Sequence, residues 1–280
     1  MTNRYKTLSV CEPPKLEMEF YYDSTDEQRP ARVYPPHVHD CLEIYVLEEG
    51  DVSFIVESSS YKLTAGDAIV CKPNEIHNCV LNTTGLHKHF CFWFGRLEQE
   101  IFADLINRPF GKENLVCSSP KNKERLLSVC KAIDTTEGER VRYYRALELI
   151  DILCNSKTTT PSLAAIPPVL KCFLEDANEN FTEISSLDYF TQKYFLSAST
   201  LNRLFKKHLN TTPSLYLETK RLAYSKKLLQ AGKSVFDACI QAGFSDYSNY
   251  IRLFKKRFGK TPKHYKEGST MSESSNDIYR

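Results

Sequence analysis

The chain has 280 residues, with 37 Lys and Arg against 35 Asp and Glu, and is 41% hydrophobic and 26% charged. That balance excludes a disordered or fibrous chain, and the length suits two domains. No run approaches the roughly 18–20 apolar residues of a membrane span, and the start, MTNRYKTLSVCEPPK, lacks the apolar core of an export signal. The expected setting is therefore the cytoplasm, with no membrane partner. The ten cysteines are scattered without a C-x-x-C pair, which points to buried thiols, with a redox sensor as the lesser alternative.

Residues 1 to about 110 read as β structure. Short alternating runs predict strands at Met18–Tyr22, Glu43–Glu48, Val52–Glu57, Tyr61–Leu63, Ala68–Cys71, His77–Leu81 and His89–Phe94. Gly50-Asp51, Ser58-Ser59-Ser60, Ala65-Gly66-Asp67, Pro73-Asn74 and Thr83-Thr84-Gly85 punctuate them as turns. Many short strands at close intervals predict a barrel or jelly roll. Tyr45, Phe54, Phe92, Trp93 and Phe94 are candidate pocket walls, or plain core.

His37, His39 and Glu43 are separated by even steps, so an extended strand would put all three on one face. Gly50, Gly66-Asp67, Pro73 and His77 follow. This resembles the cupin barrel, whose two motifs gather a His, a His, a Glu and a later His. The second motif departs from the pattern: Glu75 stands at a usual Gly, and Asn82 lies one residue further from His77 than is usual. Three readings stay open. His37, His39, Glu43 and His77 line an effector pocket without metal, or hold a divalent first-row ion with open positions for water or substrate, or are structural. No cofactor is required by the first reading. The second would make the barrel a metal-dependent cupin enzyme fused to another module.

From Pro120 the periodicity becomes helical. Arg125–Ile133 and Arg140–Cys154 predict an antiparallel pair with Leu126, Val129, Ile133, Leu147, Ile150 and Leu153 inside. Ser156–Pro168, SKTTTPSLAAIPP, reads as a linker, and Val169–Asn180 as a helix packing Leu170, Phe173 and Leu174. The resulting organisation is a β-barrel at 1–118, a helical pair at 119–155, a linker at 156–166, an all-α domain at 167–267 and a Ser-rich, disordered tail at 268–280.

The all-α part contains a repeat. LNRLFKKHLNTTP (Leu201–Pro213) matches YIRLFKKRFGKTP (Tyr250–Pro262) at a shift of 49 residues. Each copy follows a short helical pattern, Leu187–Tyr194 and Val235–Ala242, and the second turn carries Gly243-Phe244-Ser245-Asp246. Tyr250, Leu253, Phe254 and Phe258 share one face of the second unit's later helix; Ser248, Asn249, Arg252, Lys255 and Lys256 share the other. A pair of ordinary amphipathic helices would show part of this pattern. Duplication around a glycine turn favours two helix-turn-helix units instead. Phe181–Lys266 holds 16 Lys and Arg against 5 Asp and Glu, which is the electrostatic footprint of a nucleic-acid-binding module. Between the units, Pro213–Ala231 predicts one straight helix, roughly 28 Å long at ~1.5 Å per residue. That suits reading helices in successive major-groove segments about 34 Å apart.

From about Ile184 to Lys266 the chain resembles the DNA-binding domain of the AraC/XylS transcription regulators. The resemblance rests on Leu201, Arg203-Leu204-Phe205-Lys206-Lys207, Arg221-Leu222, Leu228-Leu229, Gly243-Phe244-Ser245, Ser248, Arg252, Phe254-Lys255-Lys256, Phe258-Gly259 and Thr261-Pro262. Phe195 stands at the usual turn glycine of the first unit, and Ser225 and Cys239 at usual alanines. The resemblance implies DNA-facing positions at Ser199, Asn202, Arg203, Lys206, Tyr247, Ser248, Asn249, Arg252 and Lys255. It further implies a non-enzymatic, effector-responsive regulator, more often an activator, whose effector is often a carbohydrate. Its implied partners are promoter DNA, a small molecule, RNA polymerase and a second copy of the chain paired through residues 119–155; the alternative for that helix pair is that it only covers one face of the barrel. The expected fold is thus a two-domain α+β chain: a cupin-like barrel with a trailing helix pair, then two helix-turn-helix units joined by a long helix.

Overall fold

Alternation along the strands sorts side chains onto two faces, and both faces are covered. The computed structural model describes residues 16–25, 35–83, 86–95, 100–117, 119–159, 166–184 and 186–268. Nine strands are described: β1 (Glu17–Thr25), β2 (Leu42–Glu49), β3 (Val52–Val56), β4 (Ser59–Lys62), β5 (Ala68–Cys71), β6 (His77–Leu81), β7 (His87–Gly95), β8 (Leu115–Cys117) and β9 (Lys157–Thr159). They form a six-stranded sheet, β1-β7-β2-β5-β8-β9, and a three-stranded sheet, β4-β3-β6. Tyr45 and Leu47 of β2 join Val52, Phe54 and Val56 of β3 in the interior between the sheets. Leu42, Ile44 and Val46, one step out of phase, join Phe90, Phe92 and Phe94 on the opposite face.

That opposite face is closed by helices. A short helix α1 (Ala103–Ile106) precedes α2 (Pro120–Thr135) and α3 (Glu139–Cys154). Leu126, Val129 and Ile133 of α2 and Leu149, Ile150 and Leu153 of α3 bury against the sheet phenylalanines. The helix pair therefore covers one face of the barrel, and Phe92 and Phe94 are core rather than pocket wall. Val141 and Tyr144 on α3 stay exposed.

Three expectations are corrected here. The turn after β3 is Glu57-Ser58, not Ser58-Ser59-Ser60: Glu57 adopts φ 53°, and Ser59 and Ser60 already belong to β4. The segment expected to be linker from residue 156 begins with β9, which pairs with β8 (Leu115↔Thr159) and extends the large sheet. Residues 160–165 lie outside the described chain, as do the N-terminal start and the 269–280 tail. Finally, His37 and His39 do not share a strand with Glu43, because β2 begins at Leu42 after a bend at Asp40-Cys41.

The C-terminal part is helical: α4 (Pro168–Asn180), α5 (Asp188–Lys193), α6 (Ala198–Leu209), α7 (Pro213–Gln230), α8 (Val235–Gln241), α9 (Tyr247–Phe258) and α10 (Pro262–Gly268). Starts are set locally. Ser197, Thr212, Ser234 and Asp246 each accept an N–H from three residues on, capping α6, α7, α8 and α9; each such cap contributes about 1 kcal/mol. The spacer α7 divides two cores. Tyr216, Leu217 and Ala223 pack with Leu201, Phe205 and Leu209 of α6. Leu222, Leu228 and Leu229 pack with Tyr250 and Phe254 of α9. Burying each such phenylalanine is worth roughly 2–3 kcal/mol, so α7 fixes both units as one body.

Candidate nucleic-acid interface and barrel pocket

The two repeated helices, α6 and α9, bury their apolar stripes and leave the opposite faces open. On α6, Ser199, Arg203, Lys206 and Lys207 are exposed and Asn202 is half-buried, its side-chain amide bonded to the Ala198 carbonyl at 2.9 Å. On α9, Tyr247, Ser248, Arg252, Lys255 and Lys256 are exposed, and the Arg252 guanidinium donates to the Asn249 side-chain oxygen at 2.7 Å. All nine DNA-facing positions expected from sequence thus lie on the polar faces of the two repeated helices. Among the described residues, none of the barrel covers the exposed positions of either face. With 18 residues, α7 spans about 27 Å.

The turns differ in chemistry and agree in shape. Gly243 has φ 84°, and a Cβ there would sit 2.5 Å from the Thr182 carbonyl oxygen, so glycine is required twice over. In the first unit the equivalent residue, Phe195, adopts φ 51° and is 95% exposed. The left-handed turn is retained without glycine, at a steric cost.

The second candidate site lies between the two sheets and is partly open to solvent. Alternate residues of five strands line it: Tyr21 and Asp23 from β1, Glu43 and Tyr45 from β2, Phe54 from β3, His77 and Cys79 from β6, and His87, His89, Cys91 and Trp93 from β7. Sheet register brings them together: Glu43 faces Trp93 and Tyr45 faces Cys91, while Asp23 faces His89. His87, His89 and Asp23 are additions to the four residues expected from sequence. The signal for the two histidines was the period-two run His87-x-His89-x-Cys91-x-Trp93, one face of a single strand; Asp23 comes from β1, opposite His89.

At one end stand the expected four. His37 joins β6 through a two-hydrogen-bond bridge to His77 (3.1 and 3.0 Å), and this bridge, not a shared strand, brings His37 and His39 to Glu43. The three imidazole centroids are 4.5–5.1 Å apart. The Glu43 carboxylate oxygen takes a hydrogen bond from the Trp93 indole (2.8 Å) and lies 2.7 Å from His39 Nε2 and 3.4 Å from His77 Nε2. Burial works against a charge on Glu43, but His77 and His39 outweigh it and hold its carboxyl well below the usual range. Burial likewise opposes a charge on His77, yet Cys71 and Glu43 raise its pKa well above normal. Burial pushes the Cys71 thiol up to about 11, so it is neutral near pH 7, and the Glu43 carboxylate is the anion that favours imidazolium. Burial, then the neighbouring imidazoles of His77 and His39, lowers His37 well below its usual value.

The four groups fit a first-row divalent ion. Each offers one donor atom, and all lie within 4.8 Å of one another. The Pro35 and Glu75 carbonyls, 2.9 Å from His37 Nδ1 and His77 Nδ1, only accept hydrogen bonds, so each Nδ1 carries the proton. In the neutral ring that leaves Nε2 with its lone pair, as metal-binding histidines require. Glu75, at the position where the cupin pattern has Gly, is structural: it is fully buried and accepts from the Lys72 and Gly111 backbones and the Asn114 side chain. Asn82 is exposed and bonds Asp51 and Ser53, outside the pocket.

At the other end, the Tyr45 hydroxyl meets His87 Nε2 at 2.7 Å, and His89 stacks on both rings at 4.7 Å. Burial, then His87, lowers His89 to about 3, so it is neutral at physiological pH. The thiols nearby are inert: burial pushes Cys79 up to about 12.

A model of the AraC-like ligand binding domain matches residues 24–140, and a helix-turn-helix domain model matches residues 190–268. The chain belongs to the AraC/XylS family. The uncharacterized HTH-type transcriptional regulator YbfI of Bacillus subtilis (strain 168) is 26% identical over 258 residues, covering 89% of this chain and 90% of that protein. The HTH-type transcriptional activator RhaS of Escherichia coli O139:H28 is 24% identical over 236 residues, covering 79% and 83%. RhaR of Mannheimia succiniciproducens, another HTH-type transcriptional activator, is 20% identical over 239 residues, covering 78% and 81%. This AraC/XylS chain is therefore a ligand-responsive, DNA-binding transcription regulator, with the barrel as its ligand-binding domain and α5–α9 as its paired helix-turn-helix units. Among the described residues, no helix is long and apolar enough to cross a membrane.

Proposed function

We propose that this regulator activates transcription when a neutral, polyhydroxylated effector of the carbohydrate class occupies the barrel pocket. The observation that carries the reading is the pocket lining: polar groups at both ends, with Tyr45, Phe54 and Trp93 as apolar faces between them. Such a mixture suits a ring with hydroxyls at its edge and C–H faces above and below. The name of activator borne by RhaS and RhaR supports the direction of control.

On DNA, Ser199, Asn202, Arg203 and Lys206 engage one major-groove segment, and Tyr247, Ser248, Asn249, Arg252 and Lys255 the next. Arg252 and Asn249 are the base readers, since Arg pairs with guanine and Asn with adenine through two hydrogen bonds each. The exposed Val141 and Tyr144 of α3 support pairing of two copies, and RNA polymerase is the partner an activator requires. The protein works in the cytoplasm and has no catalytic role: the pocket's function is recognition, not turnover.

Two measurements test this. Genomic mapping of bound sites should return promoters of carbohydrate-handling genes. Sugars from those pathways should then raise the melting temperature of the full-length protein, because a ligand of the native state stabilises it. Failure of every such sugar to shift melting, or consumption of a sugar by the protein, would overturn the reading.

A further inference from the structure

The segment Pro35–Cys41 is a strap with two working sides. His37 lines the pocket, and His39 stands beside it in the cluster with Glu43 and His77. The residues between them serve the other domain. Val38, 1% exposed, packs in the core built by α4, α6 and α7. The Pro36 carbonyl accepts from the Arg257 guanidinium of α9 at 3.1 Å. The Asp40 carboxylate pairs with Lys226 of α7 and accepts from the Tyr265 hydroxyl of α10 at 3.2 Å. Lys226 in turn lies over the rings of Phe258 and Tyr265 at 4.5 and 5.1 Å. The strap thus alternates: His37 and His39 stand in the sensor cluster, while Pro36 reaches α9, Val38 the core of the first reading unit and Asp40 the spacer α7 and α10.

We propose that His37, His39, Glu43 and His77 bind a divalent first-row transition ion as a regulatory ligand, and that the strap carries its occupancy to α9. The chemical argument is the donor set. Three imidazoles and a carboxylate match Zn²⁺, Fe²⁺, Mn²⁺ or Ni²⁺ rather than Ca²⁺ or Mg²⁺, and two of the rings are already turned by backbone carbonyls to present Nε2. The mechanical argument is sequence distance. Two of the four ligands are adjacent to Pro36 and Asp40, so drawing His37 and His39 onto an ion shifts the groups that hold Arg257, Lys226 and Tyr265. Glu43 and His77 sit on β2 and β6 and give the ion a fixed wall to pull against. A ligand shifts such an equilibrium only by binding the two arrangements differently, and strap position supplies that difference. The inference rests on the barrel being the sensor, and it adds the ion to the sugar-class effector proposed above.

The test uses the full chain, stripped with chelator and re-supplied with Zn²⁺, Fe²⁺, Mn²⁺ or Ni²⁺ in turn. Metal content, hydrogen exchange of residues 247–258, and affinity for a duplex recovered by genomic selection are read together. One of the four ions should bind at one per chain, change exchange in α9 and change DNA affinity several-fold. His39→Gln and Glu43→Gln should each weaken that ion at least about tenfold; two variants are used so that one misfolded protein does not decide the matter. Arg257→Ala combined with Asp40→Asn should retain the ion at full stoichiometry and lose its effect on α9. No stoichiometric ion, or a bound ion that leaves both α9 exchange and DNA affinity unchanged, overturns the proposal. A sugar that still shifts melting and DNA affinity in metal-free protein would keep the sensor reading and remove the ion alone.

Discussion

Lys220, midway along the spacer helix, ion-pairs with Glu57 at the turn between β3 and β4, and both side chains are buried. The residues lie 163 positions apart in the chain. Glu57 also accepts from the Ile76 backbone at 2.8 Å, and Lys220 donates to the Asn178 side chain at 2.6 Å. The helix that spaces the two reading units is thereby tied to the sensor barrel by a charge pair with few alternatives. Removing one member leaves the other buried without its counter-ion, which costs about 3–5 kcal/mol. Glu57→Ala should therefore destabilise the full-length protein by that order in urea unfolding. Lys220→Met with Glu57→Gln should recover most of the loss. A Glu57→Ala protein as stable as the parent would show that water reaches this pair.

Arg252 and Lys207 separate base reading from charge. Both are exposed on the repeated helices, but Arg252 is held by Asn249 and aimed as a pair. Arg252→Ala should weaken a selected duplex by about 1–3 kcal/mol and relax preference at one base pair. Lys207→Ala should weaken selected and random duplexes alike and reduce the salt slope by about one. Equal losses on both duplexes for Arg252→Ala would argue against base contact.

Phe195 makes a stability prediction of the opposite sign. Its φ of 51° is a conformation that costs an L-residue about 1–2 kcal/mol, and its ring is almost wholly exposed. Phe195→Gly should raise stability by about 1 kcal/mol, part of the gain being offset by the freer unfolded chain. If the melting temperature falls instead, the ring has packing value.

His89 gives the barrel a dependence on acid. In the unfolded chain its imidazole titrates near 6.5; in the fold, burial and then His87 hold it down to about 3. Between those values the unfolded chain binds a proton that the folded chain does not. The contribution is thus complete above pH 6.5 and is lost as pH falls toward 3, by up to about 1.4 kcal/mol per unit. Going from pH 7 to 5 should cost the parent protein about 2 kcal/mol more than His89→Gln, measured by urea unfolding at both values. Asp23 and Glu43 face the same pocket, so parallel losses in the two proteins would mean that the carboxylates accommodate the proton.

Sequence alone determined the helix-turn-helix half of this protein. Apolar spacing of three and four residues, a glycine at the second turn and Gly259 at the end of α9 are local instructions. A repeat states them twice, so no long-range contact is needed to read them. Seven of the nine described strands were legible for the same reason, because period-two alternation needs only neighbouring residues; the three-residue β8 and β9 are too short to show it and owe their place to pairing with β5 and with each other. Convergence was another matter. The His and Glu cluster follows in sequence from an even spacing that the fold does not use, since His37 reaches Glu43 through a bridge to His77. His87, His89 and Asp23 enter the pocket because β7 lies between β1 and β2 in the sheet, an order that no stretch of residues specifies. The strap's second side, which holds Arg257, Lys226 and Tyr265, was invisible in the sequence for a like reason. Pairing across some two hundred positions is decided by which buried surfaces fit, and that is settled only when the whole chain packs.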